Sequence, residues 1–320
     1  MPPVRTIAVI NQKGGVGKTT TVANLGSAIA SAGHDTCLLD MDPQAHLTLH
    51  LGVEPDASQA GMYDVLTADV PLSDAIVAAG EHLWLTASTI DLAAAEVELV
   101  GQVGREQILR DRLEALAGRY EFVLIDCPPS LGLLTLNALA AADDVLIPLQ
   151  PHFLALQGLG KLLETVSLVQ RRINPRLRVV GVVLCMYETS TRLAGEVVAD
   201  LRGFFEQARG RNLPWSSARI FESVIRRNVK LAECPSYGKT IFDYEPRSNG
   251  ASDYKLLADE FLAQYGVAPM PDQPRETTEQ APPPAAQADA ATASEPAPGP
   301  EQIDPEAAPA GPPAQAPAPA

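Results

Sequence analysis

The amino-acid order predicts an α/β fold: a mostly parallel, twisted sheet with helices on both faces. Three observations point there. Short runs that are apolar at successive positions alternate with longer helix-like stretches. Those runs read as parallel strands buried on both faces. A glycine-rich loop joins the first run to the first helix-like stretch, as in a phosphate-binding strand–loop–helix unit. A chain of 320 residues, 46% hydrophobic and 20% charged, is long enough to bury a large core.

The elements follow in order. Strands are expected over residues 6–10, 36–39, 83–86, 122–125, 144–148 and 179–184, the apolar runs. Helices are expected between and after them, over 19–32, 105–117, 131–141, 156–173, 191–207 and 252–265. Composition changes near residue 268. The segment 271–320 holds 14 of the 28 prolines and eight acidic residues against one basic residue, Arg275, and its one large aliphatic residue is Ile303. It buries too little apolar area to offset its ordering entropy. The expected organisation is one domain over 1–267 and a disordered, acidic Pro/Ala-rich tail over 268–320.

Net charge is −15, which argues against a surface coated by nucleic acid while leaving room for a local basic patch. No apolar run reaches the ~18–20 residues of a membrane span, and the N-terminus does not read as a signal peptide. Cys37, Cys127, Cys185 and Cys234 lie far apart without a CxxC pair. They read as small buried residues in a reducing cytoplasm rather than a disulfide framework. His46 and His50 are four apart, but no third ligand is in view for zinc. The first strand starts near the N-terminus, which argues against a preceding helix-turn-helix domain and operator-specific autorepression.

Chemistry concentrates at strand ends. Asn11-Gln12-Lys13-Gly14-Gly15-Val16-Gly17-Lys18-Thr19-Thr20 follows the first strand and opens a helix. Glycines let successive N–H groups converge on phosphate oxygens, and the helix N-terminus favours the same anion. Lys18 is placed to reach β- and γ-phosphates and the Thr19 hydroxyl to ligate Mg²⁺. The standard pattern requires glycine where Gln12 stands, and the loop carries an extra cation, Lys13. The second strand ends in Asp40-Met41-Asp42-Pro43-Gln44, so Asp40 and Asp42 can face one site. Phe122-Val123-Leu124-Ile125-Asp126 is a buried strand with an acid at its tip, suited to hold Mg²⁺ through water. Residues 209–239 carry seven basic residues against two acids, a phosphate-backbone footprint.

KGGVGKT with its extra lysine resembles the deviant Walker A box of the ParA/MinD group of ATPases, and Asn11-Gln12 resembles ParA (Soj) partition ATPases more than MinD. DMDPQ resembles the family's DxDPQ motif. The segment 126–138 is similar to the family's stretch after Walker B, and 223–239 resembles IPRNVRLSEAPSHGKP, with Arg226 in place of proline and Cys234 in place of alanine. The resemblance spans about residues 4–266.

It implies an ATPase that binds ATP and Mg²⁺ through Lys13, Gly14, Gly15, Val16, Gly17, Lys18, Thr19 and Thr20, with Asn228 and Pro235 at the base. Catalytic roles fall on Lys13, reaching across a homodimer to the partner's ATP, on Lys18, and on Asp42, orienting water. Thr19, Asp40 and Asp126 serve the metal, the two acids through water. Arg227 and Lys230, then Arg202 and Arg247, are the DNA candidates. It further implies non-specific DNA binding by the ATP dimer and slow hydrolysis stimulated by a ParB-like partner. The location is cytoplasmic and nucleoid-associated, with no membrane expected. The rival readings are a positioning ATPase for another cargo, a MinD-like membrane ATPase, and a cluster-carrying ATPase.

Overall fold

A computed structural model describes residues 4–55, 58–152, 155–188 and 192–267. The expected tail, 268–320, lies outside the described residues. The α/β expectation is met by a nine-stranded sheet. Its first half runs β1 (Arg5–Val9), α1 (Lys18–Ser31), β2 (Thr36–Asp40), α2 (His46–His50), α3 (Met62–Thr67), β3 (Ile76–Gly80), β4 (Leu83–Thr86), α4 (Leu92–Glu98), α5 (Ile108–Glu114) and β5 (Phe122–Asp126). Then come α6 (Leu133–Ala141), β6 (Asp144–Leu149), α7 (Ala155–Arg172), β7 (Arg178–Tyr187), α8 (Arg192–Ala208), β8 (Arg219–Ile220), β9 (Ile225–Arg226), α9 (Val229–Glu233), α10 (Ile241–Tyr244) and α11 (Asn249–Gln264).

Strand order is β3-β4-β2-β5-β1-β6-β7-β8, with β9 pairing β7 beyond β8's contact. All pairs are parallel except the β3–β4 hairpin at one edge. The central strands show why the apolar runs read as strands. Every residue of β2, β5 and β6 is buried, and alternate side chains feed opposite faces. Ala8, Val123 and Ile125 join a core with α3 to α8, whereas Ile7, Val9, Phe122 and Leu124 join a second core with α1 and α11. All four cysteines are free and buried, as expected. Among the described residues no helix is long and apolar enough to cross a membrane.

Each expected strand and helix appears, the strand over 83–86 with its expected bounds and the others with shifted ends. The helix expected from 105 starts at Ile108, because Asn137 draws the preceding turn inward: its Nδ2 donates to the Arg105 carbonyl at 2.8 Å and its Oδ1 accepts from Leu109 N. The helix expected from 131 starts at Leu133, and Thr135 Oγ1 donates back to the Ser130 carbonyl at 2.6 Å. Strands β3, β8 and β9, and helices α2, α3, α4, α9 and α10, had no counterpart among the expected elements.

Candidate nucleotide site

The parallel register fixes the site. Val9 pairs with Asp126, and Asp126 pairs with Asp40, so the tips of β1, β5 and β2 lie side by side. In open α/β sheets this carboxyl end is where ligands bind. The loop leaving β1 is anchored by Asn11, whose Nδ2 donates to the Pro148 carbonyl at 2.7 Å while its Oδ1 accepts from Lys13 N at 3.0 Å. Gly17 ends the loop at φ +92°, a backbone region that L side chains avoid, and a Cβ there would sit 3.6 Å from that of Cys185. Gly14, Gly15 and Lys13 lie exposed on the loop's outer side, whereas Val16 and Lys18 are buried. Thr20 accepts at its carbonyl from Asn24 Nδ2 at 2.8 Å, and Asn24 Oδ1 accepts from Ile241 N.

Thr19 Oγ1 donates to Asp126 Oδ2 at 2.7 Å. The other oxygen of that carboxylate, Oδ1, is buried and has no hydrogen-bond partner. Burial foremost, then the neighbouring Asp40, raises the Asp126 carboxyl well above its ordinary range, while Thr19 and Lys18 oppose the rise. A buried acid with one free oxygen beside a hydroxyl offers oxygen ligands to a hard divalent cation, while the Lys18 ammonium, which has no lone pair, is left for anionic phosphate. The residues therefore fit Mg²⁺, whose remaining ligands would be phosphate oxygens and water. Among the described residues no group of three or more His, Cys, Asp or Glu forms an all-protein metal site.

Asp40 anchors the turn after β2. Its Oδ2 accepts from Thr48 N at 2.9 Å and Thr48 Oγ1 at 2.7 Å, and its Oδ1 accepts from Asp42 N at 3.1 Å. These bonds hold the turn after β2 and position Asp42. Burial pushes the Asp40 carboxyl up to about 6 against those hydrogen bonds. Asp42 is 8% exposed and accepts Gln44 N at Oδ1, 3.0 Å. Thr48 Oγ1 also accepts from Ser88 N at 3.0 Å, tying the turn to the end of β4. Nothing in the chain's local pattern marked Thr48 or Ser88. His46 is exposed and His50 buried, so the two do not form a ligand pair.

Lys13 folds back within its own chain: its ammonium contacts His152 Nε2, just after β6. The segment after Walker B is held by α4, where Glu96 Oε1 accepts from Leu134 N at 3.5 Å and lies against Gly132. Both contacts span distant sequence and escaped motif reading.

The loop that carries Asn228 and Pro235 is built from β9, α9 and the turn after it. Asn228 caps α9, its Oδ1 accepting Lys230 N at 2.8 Å. Pro235 opens the turn that ends at Gly238. Arg226, where the resemblance has proline, makes a bidentate pair with Asp253 on α11, Nε donating to Oδ1 at 3.0 Å, and its backbone N–H donates to the same carboxylate. The substitution thus trades a rigid ring for an ion pair with an acid that is 4% exposed. Cys234 is fully buried, its thiol donating to the Lys230 carbonyl. Gly238 (φ +58°) and Gly52 (φ +66°) meet backbone to backbone, and a Cβ on Gly238 would lie 2.7 Å from Gly52 Cα.

The basic candidates are not gathered into one cluster by pairing. Arg227 Nε sits 3.2 Å from Glu188, Lys230 Nζ 2.9 Å from Glu233, and Arg202 3.5 Å from Glu222. Arg247 is exposed before α11. Lys230 also lies over the Tyr244 ring, 5.6 Å from its centre.

Comparison with known proteins supplies relatives for this arrangement. Residues 4–179 match the protein family described as AAA domain. The chromosome partitioning protein ParA of Myxococcus xanthus is 45% identical over 259 residues, 81% of this chain and 88% of its own. The sporulation initiation inhibitor protein Soj of Bacillus subtilis is 45% identical over 260 residues, 81% of this chain and 98% of its own. Among solved structures, a cobyrinic acid a,c-diamide synthase from Mycobacterium smegmatis with bound ADP and magnesium is 38% identical. It covers 85% of this chain and 99% of its own at a TM-score of 0.69. The septum site-determining protein MinD of Pyrococcus horikoshii, complexed with Mg-ADP, is 25% identical, covers 82% and 98%, and has a TM-score of 0.63.

Proposed function

The chain belongs to the ParA/Soj family of chromosome-partitioning ATPases, and from that premise we propose that it binds Mg²⁺–ATP, dimerises on it, holds DNA non-specifically as the dimer, and releases DNA on hydrolysis. The observation that carries the nucleotide part is the free buried oxygen of Asp126 beside the Thr19 hydroxyl at the end of the phosphate loop.

The chain's own groups divide the work. The loop's N–H groups and the α1 N-terminus cradle the phosphates. Lys18, held 7% exposed, meets the β- and γ-oxygens as a partly desolvated charge. Thr19 and Asp126 hold the magnesium, which when bound withdraws charge from the phosphate oxygens. Asp42, fixed by Asp40 and by its own turn, orients the attacking water. Lys13 leaves His152 and reaches the partner subunit's phosphates. Asn228 and Pro235 border the base. Arg227, Lys230, Arg202 and Arg247 contact the DNA backbone, and each must exchange any carboxylate partner it has for phosphate. A ParB-like protein stimulates a slow basal reaction. DNA that favours the ATP dimer must equally favour ATP retention.

The test is DNA binding with ATP and Mg²⁺ by wild type and by Lys13→Ala, Lys18→Ala and Asp42→Ala, alongside ATP turnover. The reading expects Lys13→Ala and Lys18→Ala to lose ATP-dependent DNA binding and Asp42→Ala to bind DNA without turning over. Equal DNA binding by all four proteins, with and without ATP, overturns it.

A further inference from the structure

The nucleotide site uses one end of the sheet. At the other end, the beginnings of β1, β6 and β7 and the end of α5 border a cleft of about 720 Å³, a volume suited to a small organic ligand. The length of β1, about 15 Å, separates it from the phosphate loop.

Its lining is unbalanced in charge. Arg5, Arg110, Arg176 and Arg178 face two carboxylates, Glu114 and Asp143. Three of the cations are already engaged. Arg178 is paired with buried Asp144 at 2.6 Å, Arg5 lies over the Tyr265 ring, and the Arg110 Nη2 donates to Gln107 and pairs with Asp111 at 3.4 Å, leaving its Nε–H. Asp143 is engaged too, accepting Thr6 N at Oδ2. Arg176 is exposed and pairs with no carboxylate among the described residues. Two lining donors are unmet: Arg110 Nε and the Tyr120 hydroxyl are both buried without a hydrogen-bond partner. Tyr120 is 3% exposed, and burial pushes its phenol up to about 12, so the hydroxyl keeps its proton. Unmet buried donors are rare in folded proteins and call for a partner. Leu113, Leu116 and Val123 supply an apolar wall beside them.

We propose that this cleft binds a small organic anion, with a carboxylate or phosphate head on Arg176, Arg110 and the Tyr120 hydroxyl and an apolar body along the Leu113–Leu116 wall. Guanidinium forks match both heads. The proposal does not depend on the nucleotide reading, because none of its residues touches the phosphate loop.

Isothermal titration of the full chain with phenyl phosphate, benzoate and inorganic phosphate tests it, using wild type, Arg176→Gln, Tyr120→Phe and Lys18→Ala. The expected result is one-site binding of at least one organic anion. Arg176→Gln weakens it about tenfold or more and Tyr120→Phe about threefold or more, while Lys18→Ala leaves it unchanged. The tighter of the two organic probes identifies the head group. The absence of saturable binding by either organic probe overturns the proposal. So does loss of binding in Lys18→Ala with retention in Arg176→Gln, since the anion then sits in the phosphate loop. Inorganic phosphate binding as tightly as phenyl phosphate overturns the apolar half.

Discussion

His50 makes the fold sensitive to acid in a way that can be isolated. It is 1% exposed at the end of α2, and its Nε2 has no hydrogen-bond partner. Burial lowers its ring from 6.5 to about 4. The unfolded chain therefore binds a proton at a pH where the folded chain does not, and stability rises with pH across that window. The stabilisation is complete above about 6.5 and is lost progressively as pH falls toward about 4. Between pH 7.5 and pH 5 the loss from this one ring is about 2 kcal/mol. For an ordered domain of this size that lowers Tm by about 4–8 °C. Asp40 and Asp126, whose carboxyls are raised, act in the opposite direction: the folded state holds their protons, so acid favours it. Those contributions are common to wild type and to His50→Leu. The assay is urea unfolding of both nucleotide-free proteins at pH 7.5 and pH 5. The difference between their acid losses reports His50 alone, and the variant should be spared about 2 kcal/mol. Equal losses by the two proteins would refute the argument.

Four other substitutions probe the site and its supports. Thr48→Val removes the hydroxyl that donates to Asp40 and accepts from Ser88 N, which should cost about 2–4 kcal/mol in urea unfolding; a loss below about 0.5 kcal/mol would mean the turn re-forms its bonds. Gly238→Ala forces a left-handed alanine against the Gly52 backbone, and a loss of about 2–3 kcal/mol is expected in the same assay. Gly132→Ala is the contrasting case: its Cβ meets only the mobile end of Glu96, so unfolding should change by less than about 1 kcal/mol. Asp126→Asn keeps the shape of the acceptor and removes its charge, so a fluorescent ATP analogue should lose its magnesium-dependent gain in affinity; an undiminished gain would place the metal elsewhere.

What could be read before folding was what is local. The phosphate loop, the Asp126 strand and the Asp42 turn announce themselves because each motif is a run of neighbours at the end of an apolar strand. The core strands were legible because burial on both faces writes an unbroken apolar run. Partners chosen across the fold were not. Thr48 is one threonine among many until Asp40 turns onto it, and Arg226 looks like a loop cation until Asp253, 27 residues on, meets it. Asp40 was half legible: two acids on alternate positions of an extended segment suggest a shared site, but nothing in the run shows that one of them bonds the backbone of the other. Strands β8 and β9 have two residues each, too few for any periodicity, and β3 is largely uncovered at an edge.

The meeting of Gly52 and Gly238 has a mechanical consequence. Wherever side chains intervene between two loops, rotamer changes can absorb a small shift at one before the other feels it. Here main chain abuts main chain, so there is no cushion. Any displacement of the end of α2 toward the turn at Gly238 would therefore have to be met by main chain, like force along a strut.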